Sequence, residues 1–170
     1  GYKISGNKVT FNASLAGVSR VPFLRYDLSY EFFDDGKVKV TVSGKFDRRS
    51  LRTFLPRLGF EFKTVKENES FEYFGMGPYE NYSDICHHVS FGRYESTAKK
   101  EYVPYVVPQE HGNHEGTRSL ALSSGLKITS DVPFSFNVSE FDSKMLTSAM
   151  HTDELHGDGT TSVRIDYKVT

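Results

Sequence analysis

The sequence predicts an all-β protein, a β-sandwich of antiparallel strands with one short helix. Three observations carry that prediction. Apolar residues recur with a period of two nearly throughout, Gly and Pro turns cut the chain into short runs, and a single segment near residues 143–155 has helical spacing. At 170 residues the chain has the length of one domain, spanning residues 1–170. A domain of that size buries about 70% of its unfolded surface.

A strand falls at KVTFNASL, residues 8–15. YDLSYEFF and KVKVTVS form a hairpin, because Asp34-Asp35-Gly36 between them is a turn in which Gly36 can take positive φ. In the second arm Val38, Val40 and Val42 alternate with Lys37, Lys39 and Thr41, the pattern of one buried and one wet face. LGFEFKTV, FEYFG, SLALSS and PFSFNVS read as further strands. In SKMLTSAMHTDEL, Met145, Leu146, Ala149 and Met150 make a short apolar stripe behind a cap at Asp142 or Ser143. The last strand is SVRIDYKV: Val163, Ile165, Tyr167 and Val169 face one way, Arg164, Asp166 and Lys168 the other.

Composition excludes some functions. Lys plus Arg number 21 against 22 Asp plus Glu, a net charge of −1. That balance argues against a nucleic-acid partner, which selects for a basic face. No apolar run approaches the roughly 20 residues that span a bilayer, and no charged-then-apolar segment opens the chain, so no membrane partner is expected. The start at GYKISG, without Met, is what is expected of a piece cut from a longer polypeptide. Cys86 is the single cysteine, which rules out an internal disulfide, fits a reducing compartment and reads as a small buried apolar side chain. Asn12, Asn68, Asn81 and Asn137 begin Asn-x-Ser triplets that, without a signal segment, are chance matches.

Strand periodicity lapses between residues 74 and 118, where polar and aromatic residues cluster. Long loops of this composition are functional or hold an interface. Rings beside amides and carboxylates are also what sugar sites use: the ring covers the sugar's C–H face and the polar groups take its hydroxyls. Glu110, His111, His114 and Glu115 carry metal-ligand chemistry, but HGNH matches no zinc spacing, so no metal site is assigned. His87 and His88, if on a strand, point to opposite faces and cannot serve one site. The carboxylates of Glu80 and Asp84 are expected to accept backbone N–H bonds and fix the loop.

The segment GMGPYENYSD and the later YVPYVVPQEHGNHEGTR resemble the family 2 β-galactosidases, in their C-terminal β-sandwich or small-chain domain. Gly75, Gly77, Pro78, Glu80, Tyr82 and Asp84 match that family's first motif. Tyr105, Pro108, Gln109, Glu110 and Gly112 match a later one, and Pro56, Arg57 and Gly59 match a turn before both. Three ordered motifs are a strong signal where one alone is weak.

The resemblance implies a supersandwich of two antiparallel sheets like that of galactose mutarotase, here a fragment truncated at both ends. It implies a bacterial, cytoplasmic parent that releases terminal non-reducing β-D-galactose with retention. Such chemistry needs two carboxyl groups about 5 Å apart. In the family both glutamates sit on a separate (β/α)8 barrel, which takes on the order of 250 residues, so no catalytic residue is assigned to this chain. The Mg and Na ions common in the family belong to that barrel, and no cofactor is expected here. The implied partners are the barrel, the parent's other domains and a β-galactoside substrate, with homo-oligomerisation left open. The loop carrying Gln109, Glu110, His111, Asn113, His114 and Arg118 is expected at one end of the sandwich, exposed here and lining the galactose pocket in the parent. Family members often offer a tryptophan to that pocket. This chain has none, and the hairpin serines Ser119 and Ser130 supply no stacking surface.

Two other readings remain open from the residues. A free-standing mutarotase-like epimerase would use His111 or His114 with Glu110 as acid and base. A carbohydrate-binding module would need an exposed platform such as Tyr79, Tyr102 and Tyr105.

Overall fold

The computed structural model of the chain describes residues 1–47, 49 and 57–169, with side chains in the last strand through Tyr167. Pro56, the first residue of the earliest motif, lies outside the described residues. The chain forms two compact units, Gly1–Phe54 and Leu55–Thr170.

The first unit is an antiparallel meander of β1 (Tyr2–Ser5), β2 (Lys8–Leu15), β3 (Leu24–Phe32) and β4 (Val38–Phe46), in that spatial order. The expected hairpin joins β3 to β4, and Gly36 adopts φ of 81° in its turn. Register aligns Tyr2, Phe11, Leu28 and Val42 across the sheet in one row. Ile4, Val9, Tyr30 and Val40 make the next. Side chains in register share a face, so one side of this sheet is apolar and the other carries the Lys, Asp and Ser positions. The expectation that Val38, Val40 and Val42 are buried is not met: they stay 43–48% exposed. A period of two identifies which face is apolar and does not supply the layer that covers it.

The second unit holds β5 (Arg57–Val65), β6 (Ser70–Gly77), β7 (Ser90–Thr97), β8 (His114–Leu122), β9 (Lys127–Ser139) and β10 (Thr160–Val169). Their order is β5-β10-β9-β8-β6-β7, with every neighbouring pair antiparallel. Phe71, Tyr73, Leu120, Leu122, Phe134, Phe136, Val138 and Val163 form its core, with Ala98 packed in from the loop after β7. Phe136 is fully buried, with Phe71 and Tyr73 meeting its ring edge-on at 5.5 and 5.0 Å.

The all-β class is as expected, with two antiparallel sheets and one short α-helix among the described residues. That helix, α1 (Ser143–Ser148), starts where Asp142 accepts the Met145 N–H at 2.8 Å. Leu146 and Ala149 are buried. The helix ends sooner than its apolar stripe, and Thr152–Glu154 form a separate 3-10 turn.

Three expectations need correction. The segment taken as irregular between residues 74 and 118 contains all of β7 and the start of β8. Tyr167 does not follow Val163 and Ile165 inward; it is 69% exposed beside a register shift between Asp166 and Lys168. Arg164 and Asp166 do not face water either: both are buried, Arg164 against Asn137, which also holds the His111 carbonyl, and Asp166 beside Arg57.

Candidate functional site

The two motif segments are tied together by buried polar groups. Glu80, just beyond β6, accepts the Tyr105 hydroxyl at 2.6 Å and the Gly112 N–H at 2.7 Å. Asn81 is fully buried and uses every polar atom it has. Its Nδ2 donates to the Met76 and Tyr79 carbonyls, and its Oδ1 accepts the Glu115 N–H. Its backbone N–H and C=O pair with the Asn113 carbonyl and side-chain amide. A connection that would otherwise strand backbone donors thus finds them partners 25 to 34 residues away.

The glycines of the motif allow this closeness. A Cβ on Gly75 would lie 2.9 Å from Cα of Thr117 on β8. Gly112 has φ of 66°, a left-handed conformation that suits glycine. Pro78 follows a cis peptide bond. Asp84, unlike Glu80, is exposed at the turn. Tyr82 is half-buried, and burial pushes its phenol up.

Two histidines anchor the second segment. His114 is fully buried, with Nε2 2.9 Å from a Glu101 carboxylate oxygen. Its Nδ1 lies 3.0 Å from the Tyr73 hydroxyl and 3.2 Å from the Met76 carbonyl, and its ring stacks on Phe136 at 5.2 Å. His111 sits under the loop on the other side. Its Nδ1 is 3.0 Å from the Gln109 carbonyl, which can only accept, so Nδ1 carries the proton. Its Nε2, 3.3 Å from the Ser139 hydroxyl, is then the acceptor. Asn137 on β9 donates to the His111 carbonyl and accepts from Arg164 Nε and a terminal nitrogen at 3.2 and 2.7 Å. Arg57 pairs with Asp166 at 3.0 Å and with Glu110.

Burial therefore decides the protonation of His111: desolvation lowers its pKa below the ordinary value, offset in part by the Gln109 carbonyl. The unfolded chain binds this proton at about pH 6.5, while the folded one resists it. The contribution to stability is intact above pH 6.5 and is lost as pH falls below it toward the folded pKa. The melting temperature should drop between pH 7 and 5 by more in the parent chain than in His111→Asn, whose amide can replace the Nδ1–H. Asp166 and Glu115, both raised by burial, act with the opposite sign but equally in the two proteins. Equal pH slopes in the two would refute the assignment.

The structure places the expected pocket residues unevenly. Gln109 and Arg118 are exposed and Glu110 is half-buried in its ion pair. His111, Asn113 and His114 are at most 1% exposed, so the loop is not the open surface expected of it. Its polar groups enter the interior because nearly all are hydrogen-bonded there, which removes the desolvation penalty that would keep them out. An acid–base pair reaching a sugar does not exist at His111 and His114, whose ring nitrogens all have protein partners. Of the three tyrosines considered as a platform, Tyr102 packs between His111 and Phe141 and Tyr105 is bound to Glu80. Tyr79 is 65% exposed. Asn68, Asn81 and Asn137 are buried, so three of the four Asn-x-Ser triplets are closed to modification in the fold. His87 and His88 lie in a turn rather than on a strand, with His88 Nε2 3.0 Å from the Glu80 carbonyl. Cys86 is half-buried there, outside the core. Among the described residues no group of three His, Cys, Asp or Glu could hold a metal ion.

Sequence reasoning placed Asn81 in the polar cluster without its anchoring role, and it missed Glu101, Asn137, Arg164 and Asp166 as parts of the network. Arg164 and Asp166 stood out only as the polar half of an alternating strand, which reads as the wet half.

The family model for the β-galactosidase small chain matches residues 3–170. A β-galactosidase of Actinobacillus pleuropneumoniae is 35% identical over 93% of this chain and 15% of its own length. Those of Streptococcus thermophilus and Staphylococcus xylosus are 28% and 29% identical, over 97% and 98% of this chain and 18% and 17% of theirs. The chain thus spans 15–18% of the length of these relatives.

Proposed function

The chain belongs to the β-galactosidase small-chain family, and from that premise we propose that it is a non-catalytic domain of a cytoplasmic β-galactosidase. It supports the catalytic barrel and presents one wall of the galactose pocket, while the parent hydrolyses terminal β-D-galactose. Ions such as Mg and Na, where the parent uses them, bind on the barrel and not here. The observation that carries the reading is the double commitment of Glu80 to the Tyr105 hydroxyl and the Gly112 N–H. A motif carboxylate with each oxygen held by a loop donor positions a surface. Gln109 and Arg118, exposed on either side of that pinned segment, are the residues offered to the pocket.

The purified chain should not turn over a chromogenic β-galactoside. It should also bind free galactose more weakly than about 1 mM, which is less than roughly 4 kcal/mol of binding free energy. One wall without its opposite leaves each hydrogen bond in competition with water. Calorimetric or NMR titration of galactose and lactose checks this. Saturable submillimolar binding would instead favour a binding module, and interconversion of galactose anomers an epimerase.

A further inference from the structure

Among the described residues, four buried side-chain atoms have no hydrogen-bond partner in the protein: Arg57 Nε, Asp166 Oδ2, Tyr82 Oη and Asn113 Oδ1. Native interiors leave few such atoms, and each calls for a partner. Three of the four share one neighbourhood. Arg57 Nε and Asp166 Oδ2 stand 3.0 Å apart as an ion pair, yet the N–H is not aimed along that line, so no hydrogen bond joins them. Tyr82 lies within electrostatic reach of both Arg57 and Arg164, and its hydroxyl is closed to solvent. The three groups come from separate parts of the chain. Arg57 belongs to the turn before the motifs, Tyr82 to the first motif and Asp166 to β10. Arg57 also reaches Glu110 in the second motif.

We infer that an internal water molecule binds at this junction, joining Arg57 Nε, Asp166 Oδ2 and the Tyr82 hydroxyl. The donor and acceptor types select it. Arg57 Nε can only donate, a carboxylate oxygen accepts, and a phenol does either. A water accepts the Nε–H, donates one proton to Asp166 and spends its remaining capacity on Tyr82. That makes three bonds, the usual number for a buried water. An ion fits worse: the guanidinium groups of Arg57 and Arg164 repel a cation, and the carboxylates of Asp166, Glu110 and Glu61 repel an anion. Interiors hold on the order of one such water per 27 residues, so one here is ordinary in a chain of 170. The water fixes the guanidinium that holds Glu110, and so ties the turn and both motifs at one point.

NMR of the isotope-labelled chain tests this at the Arg57 Nε–H. Its cross-peak to water should be opposite in sign in NOE and ROE spectra, the signature of a long-lived bound molecule. In Tyr82→Phe, which loses the hydroxyl and keeps the ring, that cross-peak should weaken because the water retains two of its three partners. A cross-peak of one sign in both spectra reports exchange with bulk solvent and overturns the inference, as does no cross-peak at all. A signal unchanged in Tyr82→Phe removes the hydroxyl from the site and overturns the assignment of three partners. A crystal structure of the unmodified chain gives a second reading that needs no variant. It should show a water within hydrogen-bond distance of all three atoms. A direct Arg57 Nε–H bond to Asp166, with the Tyr82 hydroxyl bonded to a protein oxygen such as Asn113 Oδ1, would leave the water no place. None of these results bears on the galactosidase reading, which does not depend on how Arg57 is held.

Discussion

Arg164→Met should destabilise the second unit by about 3–5 kcal/mol, the usual cost of removing one partner from a buried ionic network. Arg164 is 3% exposed in the middle of β10. Two of its N–H groups converge on Asn137 Oδ1, and Glu61 lies 3.8 Å away. Burial lowers the guanidinium pKa and the neighbouring Glu61 and Asp166 oppose that, so the group stays charged at neutral pH. Methionine keeps much of the volume but leaves Asn137 Oδ1 without its donors and Asp166 with Arg57 as its remaining cation. The effect should reach the loop, because Asn137 also holds the His111 carbonyl. Urea unfolding should give a lower midpoint, and hydrogen exchange at Gly112 should speed up. Arg164→Lys retains charge without the paired N–H geometry and should fall between the two. A midpoint unmoved in Arg164→Met would show that the network contributes specificity without stability.

That arginine also marks the limit of what could be read before the structure. The β3–β4 hairpin was legible because Asp34-Asp35-Gly36 is a local turn signal and Gly36 indeed has positive φ. The Asp142 cap of α1 was legible for the same reason. Alternation in β10 correctly separated Val163 from Arg164, but it assumed that charge means water. What covers Arg164 arrives from residues 27 positions earlier and beyond, and no local pattern records it. β7 was missed because SFGRYEST mixes Gly, aromatic and charged residues and alternates weakly. The motif residues at 75–84 and 105–112 were visible through resemblance. Their partners were not, since Glu80 and Gly112 are joined across 32 positions.

Glu80→Ala should lower stability by about 1.5–3 kcal/mol, the cost of losing hydrogen bonds to a charged acceptor. The carboxylate is half-buried, which places the expected value toward the lower end. Alanine strands the Gly112 N–H, in a segment where Asn113 and His111 are buried and water has little access. It also frees the Tyr105 hydroxyl, which the carboxylate holds in its protonated form, with a pKa pushed up to about 12. Absorbance titration of tyrosine should therefore show one phenol ionising at lower pH in the variant. Glu80→Gln separates charge from geometry: its carbonyl oxygen can keep one of the two bonds, while its amide faces the other donor. Its loss should be smaller than that of alanine. In a full-length β-galactosidase carrying this domain, Glu80→Ala should raise KM through a displaced pocket wall and leave kcat within a few-fold, because both catalytic carboxylates would sit elsewhere. A fall in kcat at unchanged KM would place Glu80 in the chemistry and end the positioning role assigned to it.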